Sequence, residues 1–179
     1  TYLRRGLQVR ITTDASPYGI GAILEVGGEI VSWIADTFSS EDKRILQLSD
    51  EPTSADQQTV EALAALVALR EWCPRWRNER VLVAVRSDNM ATLAMMAKMQ
   101  PHGDRMALLA REMALDIATS AYAPDVVEHI PGVANSSADA LSRLCHPSGK
   151  YSVPSFLAPS QRHKCALRAR SWYKALPAA

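Results

Sequence analysis

The chain has 179 residues, 47% of them hydrophobic and 22% charged, which is the size and composition of one globular domain with room for an appendage. Collagen-like, coiled-coil and wholly disordered classes are excluded. The longest uninterrupted apolar run, Ala62 to Leu69, is far shorter than the roughly 20 residues of a membrane-spanning helix, so no membrane span is expected. Basic residues total 20 against 19 acidic ones for a net charge of +1, but the last acid is Asp139, and from Cys145 onward there are six basic residues and none acidic.

That division predicts a compact, mildly acidic body over residues 1–144 and a basic tail or linker over 145–179, whose charge suits either solvation or contact with phosphates. Thr1 and the lack of a leader-like start lead us to read the chain as a segment of a longer polypeptide. Cys73, Cys145 and Cys165 form no tight pair, which argues against a secreted disulfide scaffold and for an intracellular setting.

In chain order, Leu7, Val9 and Ile11 alternate with polar residues, predicting a strand that ends at Asp14 before a turn at Ser16, Pro17 and Gly19. Ile20 to Val26 and Glu29 to Ile34 flank Gly27-Gly28 and predict a hairpin, completing a three-strand antiparallel meander. Asp36 to Thr53 is polar and contains Pro52, and reads as a loop. A helix is expected from Ser54, with Gln57 as its capping-box partner, to Pro74; its nearly all-round apolar character marks it as buried against a sheet. Val81 to Val85 reads as a buried strand, parallel to the first through this crossover helix. Helices over Met90–Met99 and Asp104–Tyr122 follow, separated by the breaker Gln100 to Gly103. Val126 to Ile130 forms a fifth strand, Pro131-Gly132 a turn, and Ala138 to Leu144 a last helix capped by Asn135 or Ser136. Trp72 and Trp76, with Arg75 and Arg77, read as a core or docking cluster in preference to a nucleic-acid contact.

Asp14 and Asp88 are the first acids after two strands argued to be parallel, and ligand sites of such sheets lie beyond the strands' carboxyl ends. Glu61 sits beside the apolar run of a buried helix, where a charge needs a partner or a metal. Asp139 lies among apolar neighbours in the last helix. Four converging carboxylates would repel, and divalent cations are the physical remedy: oxygen ligands favour magnesium or manganese. Two such ions are the usual device for attack of water on a phosphodiester.

These residues carry a resemblance. The element order, Thr13-Asp14-Ala15-Ser16, Glu61, Ser87-Asp88-Asn89 and the stretch from His129 to Arg143 (HIPGVANSSADALSR) look like a ribonuclease H domain, in the variant that follows the polymerase in reverse transcriptases of LTR-type and DIRS-type retrotransposons. The resemblance spans about Leu7 to Leu144. It implies an α/β, ribonuclease H-like fold with a five-stranded mixed sheet and flanking helices. It also implies a metal-dependent endonuclease that hydrolyses the RNA strand of RNA/DNA hybrids during reverse transcription of a retroelement. Asp14 would bridge two Mg2+ ions, with Mn2+ able to substitute; Glu61 and Asp88 would help hold one and Asp139 the other. His129, ten residues before Asp139, matches the family's mobile histidine, and Ser16, Asn89 and Arg105 are candidates for substrate contact. The basic helix with which cellular members grip DNA is not evident after Met99. The partners implied are the hybrid and a polymerase domain of the same polyprotein, and the location cytoplasmic replication particles. The alternative is a catalytically silent domain that only positions hybrid.

Overall fold

The computed structural model describes residues 7–50, 53–76, 81–98, 103–119, 124–129 and 135–177. The expected breaker at Gln100 to His102 and the Pro131-Gly132 turn lie outside them, as do Met99, Tyr122 and Ile130 at the expected ends of their elements. Strands β1 (Leu7–Ser16), β2 (Gly19–Val26) and β3 (Glu29–Asp36) form the meander. Gly27 and Gly28 close its second hairpin with φ of 59° and 87°, a conformation that a side chain would strain. Helix α2 (Ser54–Trp72) then crosses to β4 (Val81–Ser87), which pairs parallel to β1, and β5 (Pro124–His129) pairs parallel to β4. Between the last two strands run α3 (Met90–Lys98) and α4 (Asp104–Ala118). Helix α5 (Ser136–Ser142) completes the body.

Besides strand and helix ends that shift by a residue or two, three features depart from the sequence expectation. First, Ser40–Ile45 is a short helix, α1, where a loop was expected; its capping box pairs Ser39 with Asp42. Second, α2 is capped by Thr53 with Asp56, one residue earlier than expected, which frees Gln57 for another role. Third, a sixth strand of two residues, β6 (Gln161–Arg162), comes from the tail and pairs parallel to β3, so the sheet order is β5-β4-β1-β2-β3-β6.

Alternation along the strands divides the apolar residues between two layers. Val9, Ile11, Ile20, Ala22, Leu24 and Ile34 pack with α2, and Met96, Leu109 and Met113 extend that cluster through α3 and α4. Ile23, Trp33 and Ala35 face the other way, against Leu141 of α5 and Leu157. Trp72 and Trp76 are buried in the larger cluster, so the expected core reading of the tryptophans holds.

The segment after α5 wraps around the β3 edge of the sheet. Leu157 is buried on the α5 face, β6 lines the edge, and Trp172, Tyr173 and Leu176 pack on the α2 face. Acids of the body take up part of its charge. Arg168, fully buried, binds Asp42 (2.9 Å), Asp36 (2.8 Å) and the carbonyl of Thr37 (2.7 Å). His163 pairs with Glu71 and Lys174 with Asp116. Arg70 of α2 joins the same network, holding Glu112, Asp116 and the carbonyl of Trp172.

Candidate active site

Parallel pairing sets the first two acids side by side. Thr12 is level with Arg86 at the end of the β1–β4 pairing, and Asp14 and Asp88 each follow two residues beyond that pair. Strand β1 runs on through Asp14 to Ser16, so this carboxylate stands on a hydrogen-bonded strand and not in the turn. Its partner across the β1–β2 ladder is Gly21, and α5 packs directly on that glycine. A Cβ at Gly21 would lie 2.3 Å from the carbonyl oxygen of Ala138 and 2.7 Å from the amide nitrogen of Ser142. Gly21 therefore lets α5 approach close enough for Asp139 to reach Asp14. Gly21→Ala should cost about 1–3 kcal/mol by overpacking and weaken the response to metal, because α5 must lift. Denaturant unfolding with and without Mg2+ measures both effects.

Carboxylate oxygens of Asp14, Glu61 and Asp88 all lie within 4.8 Å of one another. Asp139, 41% exposed, stands near enough to Asp14 to raise its proton affinity and pairs with Arg143 one helical turn on at 2.8 Å. Three of the four acids singled out in the sequence thus meet, and Asp139 stands beside Asp14 at their edge, where the α2 and α5 layers approach the ends of β1 and β4. Asp139 has a basic partner, Arg143, because one full turn of helix is within that side chain's reach.

Glu61 is held asymmetrically. Its Oε1 accepts from the Ala15 N–H (3.1 Å) and from the Gln57 side-chain amide (2.9 Å), while buried Oε2 has no partner. Gln57 also donates to the carbonyl of Ala15 (2.8 Å), tying α2 to the end of β1. An orphaned buried carboxylate oxygen beside two further acids is expensive in a protein interior and is the feature a cation relieves. The residues present therefore fit a divalent cation with oxygen ligands.

The electrostatics agree. Burial, then the charges of Glu61 and Asp88 and the contact with Asp139, push Asp14 from 3.8 up to about 10. Burial and the charge of Asp88 push Glu61 up to about 7, although the Ala15 N–H pulls it down. The folded protein without metal thus keeps a proton on Asp14 that the unfolded chain has already lost above its ordinary value. Stability in a chelator should fall as pH rises from about 4 toward 10. Metal competes with that proton, so apparent Mg2+ affinity should rise over the same window, by up to about tenfold per pH unit. Thermal melts with and without chelator across pH check both signs.

The other candidates are placed as follows. His129 ends β5, level with Ser87 beside Asp88; its side chain is outside the described residues. Ser16 is buried and its hydroxyl donates to the carbonyl of Ser142, pinning the β1–β2 turn to α5. Asn89 spends its side-chain carbonyl on the Thr92 N–H at the start of α3. Arg105 binds Asp56 and the carbonyls of Leu46 and Gln47, so its charge is neutralised within the fold. Two contributors were missed from sequence, Gln57 and Asn135, whose side-chain amide donates to the carbonyl of Thr13 from the start of α5. Both stand four residues before an acid of the cluster, and that helical spacing was the available signal.

A meander, a crossover to a parallel strand, and helices over both faces define the ribonuclease H-like fold, and this chain has it. Solved structures with the same fold include RNase H1 from the halophilic archaeon Halobacterium salinarum NRC-1, 20% identical with a TM-score of 0.55, covering 77% of this chain and 96% of that one. LC11-RNase H1, solved in complex with an RNA/DNA hybrid, is 17% identical with a TM-score of 0.53, covering 74% and 92%. The N-terminal RNase H domain of a Mycobacterium tuberculosis protein is 14% identical with a TM-score of 0.52, covering 75% and 95%. The sequence matches no protein-family model and no curated protein. Among the described residues no helix is long and apolar enough to cross a membrane.

Proposed function

We propose that the chain is a metal-dependent ribonuclease H that hydrolyses the RNA strand of RNA/DNA hybrids. The observation that carries this reading is the meeting of Asp14, Glu61 and Asp88 within 4.8 Å, with Asp139 beside Asp14, on the fold that RNase H1 enzymes share. Asp14, Glu61, Asp88 and Asp139 would hold two Mg2+ ions, or Mn2+ in their place. Bound there, the cations supply charge stabilisation for the entering and leaving oxygens of an in-line displacement at phosphorus.

The chain's own residues do the positioning. The Ala15 N–H and Gln57 fix Glu61 so that one oxygen is free, and Asn135 anchors α5 beside β1 so that Asp139 faces Asp14. The ribose 2′-hydroxyl is the group that separates the cleaved strand from DNA. His129, at the end of β5 next to the acids, is assigned proton transfer or product release and not metal binding.

The retroelement setting rests on the stretch from His129 to Arg143, which resembles the domain that follows the polymerase in LTR-type and DIRS-type elements. That polymerase domain is then the partner in the polyprotein, and cytoplasmic replication particles are the location. Residues 7–144 carry the chemistry, and the segment from Cys145 is its structural strap.

The test is strand-specific cleavage of hybrids labelled on either strand, with Mg2+ and with chelator. RNA cleavage that needs metal and disappears in Asp88→Asn, with the folded spectrum kept, is expected. An intact RNA strand with tight hybrid binding would favour the silent positioning domain, and cutting of the DNA strand would overturn the reading.

A further inference from the structure

Beside the acid cluster lies a group of rings that the catalytic assignment does not use. Tyr18, at the β1–β2 turn, meets His146 edge to face with ring centroids 4.2 Å apart, and His146 lies 5.4 Å from Tyr151. Arg143 links the group to the acids: its Nε holds Asp139 at 2.8 Å, while its guanidinium lies over the Tyr151 ring, 5.9 Å from the centroid. The rings are therefore one arginine side chain away from the carboxylates.

Core packing does not account for them. Tyr151 is 37% exposed, and neighbouring Lys150 is exposed as well. They are tied to the fold around them: the Tyr18 backbone N–H donates to Ser16, the Ser148 N–H donates to Nδ1 of His146, and Arg143, over the Tyr151 ring, is held by Asp139. Rings grouped at the surface and bordered by cations are the equipment of a base-stacking site. Neither face of a base inside a duplex is free for such a contact, because its neighbours in the stack cover both. An unpaired base has a free face.

We propose that Tyr18, His146 and Tyr151 form a platform that stacks an unpaired nucleotide flanking the hybrid, with exposed Lys150 meeting its phosphate. This rests on the hybrid-nuclease reading of the acid cluster. It gives the enzyme a preference for hybrids that continue into a single strand over blunt ones.

The experiment measures equilibrium binding by the Asp88→Asn protein, which on that reading does not cut, to blunt hybrids and to hybrids with a short single-stranded extension. The first unpaired base is 2-aminopurine, whose fluorescence falls on stacking. One extension polarity is expected to bind about tenfold tighter than the blunt hybrid, with quenching. Adding Tyr151→Ala should remove both, and Tyr151→Phe should keep both. Equal affinity for extended and blunt hybrids, or an advantage that survives Tyr151→Ala, overturns the platform. Cleavage of blunt hybrid by the wild-type protein, run alongside, reports separately on the nuclease reading, so the two can fail independently.

Discussion

Asp14→Asn is expected to abolish hydrolysis and, in a chelator, to give a protein more stable than the parent. The catalytic loss should be about 10^3-fold or more, because charge stabilisation by bound metal is worth several kcal/mol. The stability gain follows from the carboxyl's position. Asp14 is 4% exposed and faces three other acids, so the parent holds its proton up to about 10 while the unfolded chain does not. Asn carries no such proton linkage. The gap between variant and parent should therefore widen with pH above about 4, by up to about 1.4 kcal/mol per unit, and the slope left in the variant belongs to Glu61. Adding Mg2+ should reverse the order, since only the parent gains from it. Melting curves at several pH values decide this; a variant less stable than the parent in chelator at pH 8 would contradict the mutual repulsion of the acids.

Arg168→Ala is expected to be the most damaging single change away from the site. It strips the guanidinium from buried Asp42 and from Asp36, leaving charge without compensation, and about 3–5 kcal/mol of stability should go with it. For a chain of this length that is roughly 6–20 °C in melting temperature. Arg168→Lys should rescue little, because the arginine serves three acceptors through its planar fork and an ammonium cannot reproduce that arrangement. Denaturant unfolding gives the number, and a loss below 1 kcal/mol would mean that the strap is not held by these pairs. A related consequence is that deleting the segment from Cys145 cannot be read as a test of nucleic-acid binding alone, since it also removes buried Leu157 and Tyr173.

What the sequence revealed follows physical range. The five main strands, the parallel pairing of β1 with β4 and the buried helix α2 are written in local periodicity and in the handedness of one crossover, both readable in short windows. Asp14 and Asp88 were legible as the first acids after two parallel strands, and Glu61 and Asp139 as charges among apolar helix neighbours. The short helix α1 was not, since Asp42 looks like an ordinary loop acid; its reason for being buried is Arg168, which is 126 positions away. The tail's attachment was not legible either: Arg168 and Lys174 pair with Asp36, Asp42 and Asp116 of the body, and no local pattern joins those residues to the tail. Gln57 reads as a capping-box residue until Thr53 and Asp56 are seen to fill that role.

The two-residue pairing of β6 with β3 has a consequence for how copies of this protein behave in one another's company. A meander ends in a strand whose outer backbone groups are free to recruit an equivalent strand from another molecule. Here the chain occupies part of that edge itself: Ser32 and Trp33 pair with Gln161 and Arg162, and the Ser32 hydroxyl donates to the carbonyl of Gln161. Arg162 then lies over the Trp33 ring, setting a cation where a second molecule would dock. Weakening the strap thus does more than lower stability, because it uncovers a templating edge, and strap variants should lose solubility with rising concentration sooner than their unfolding free energies imply.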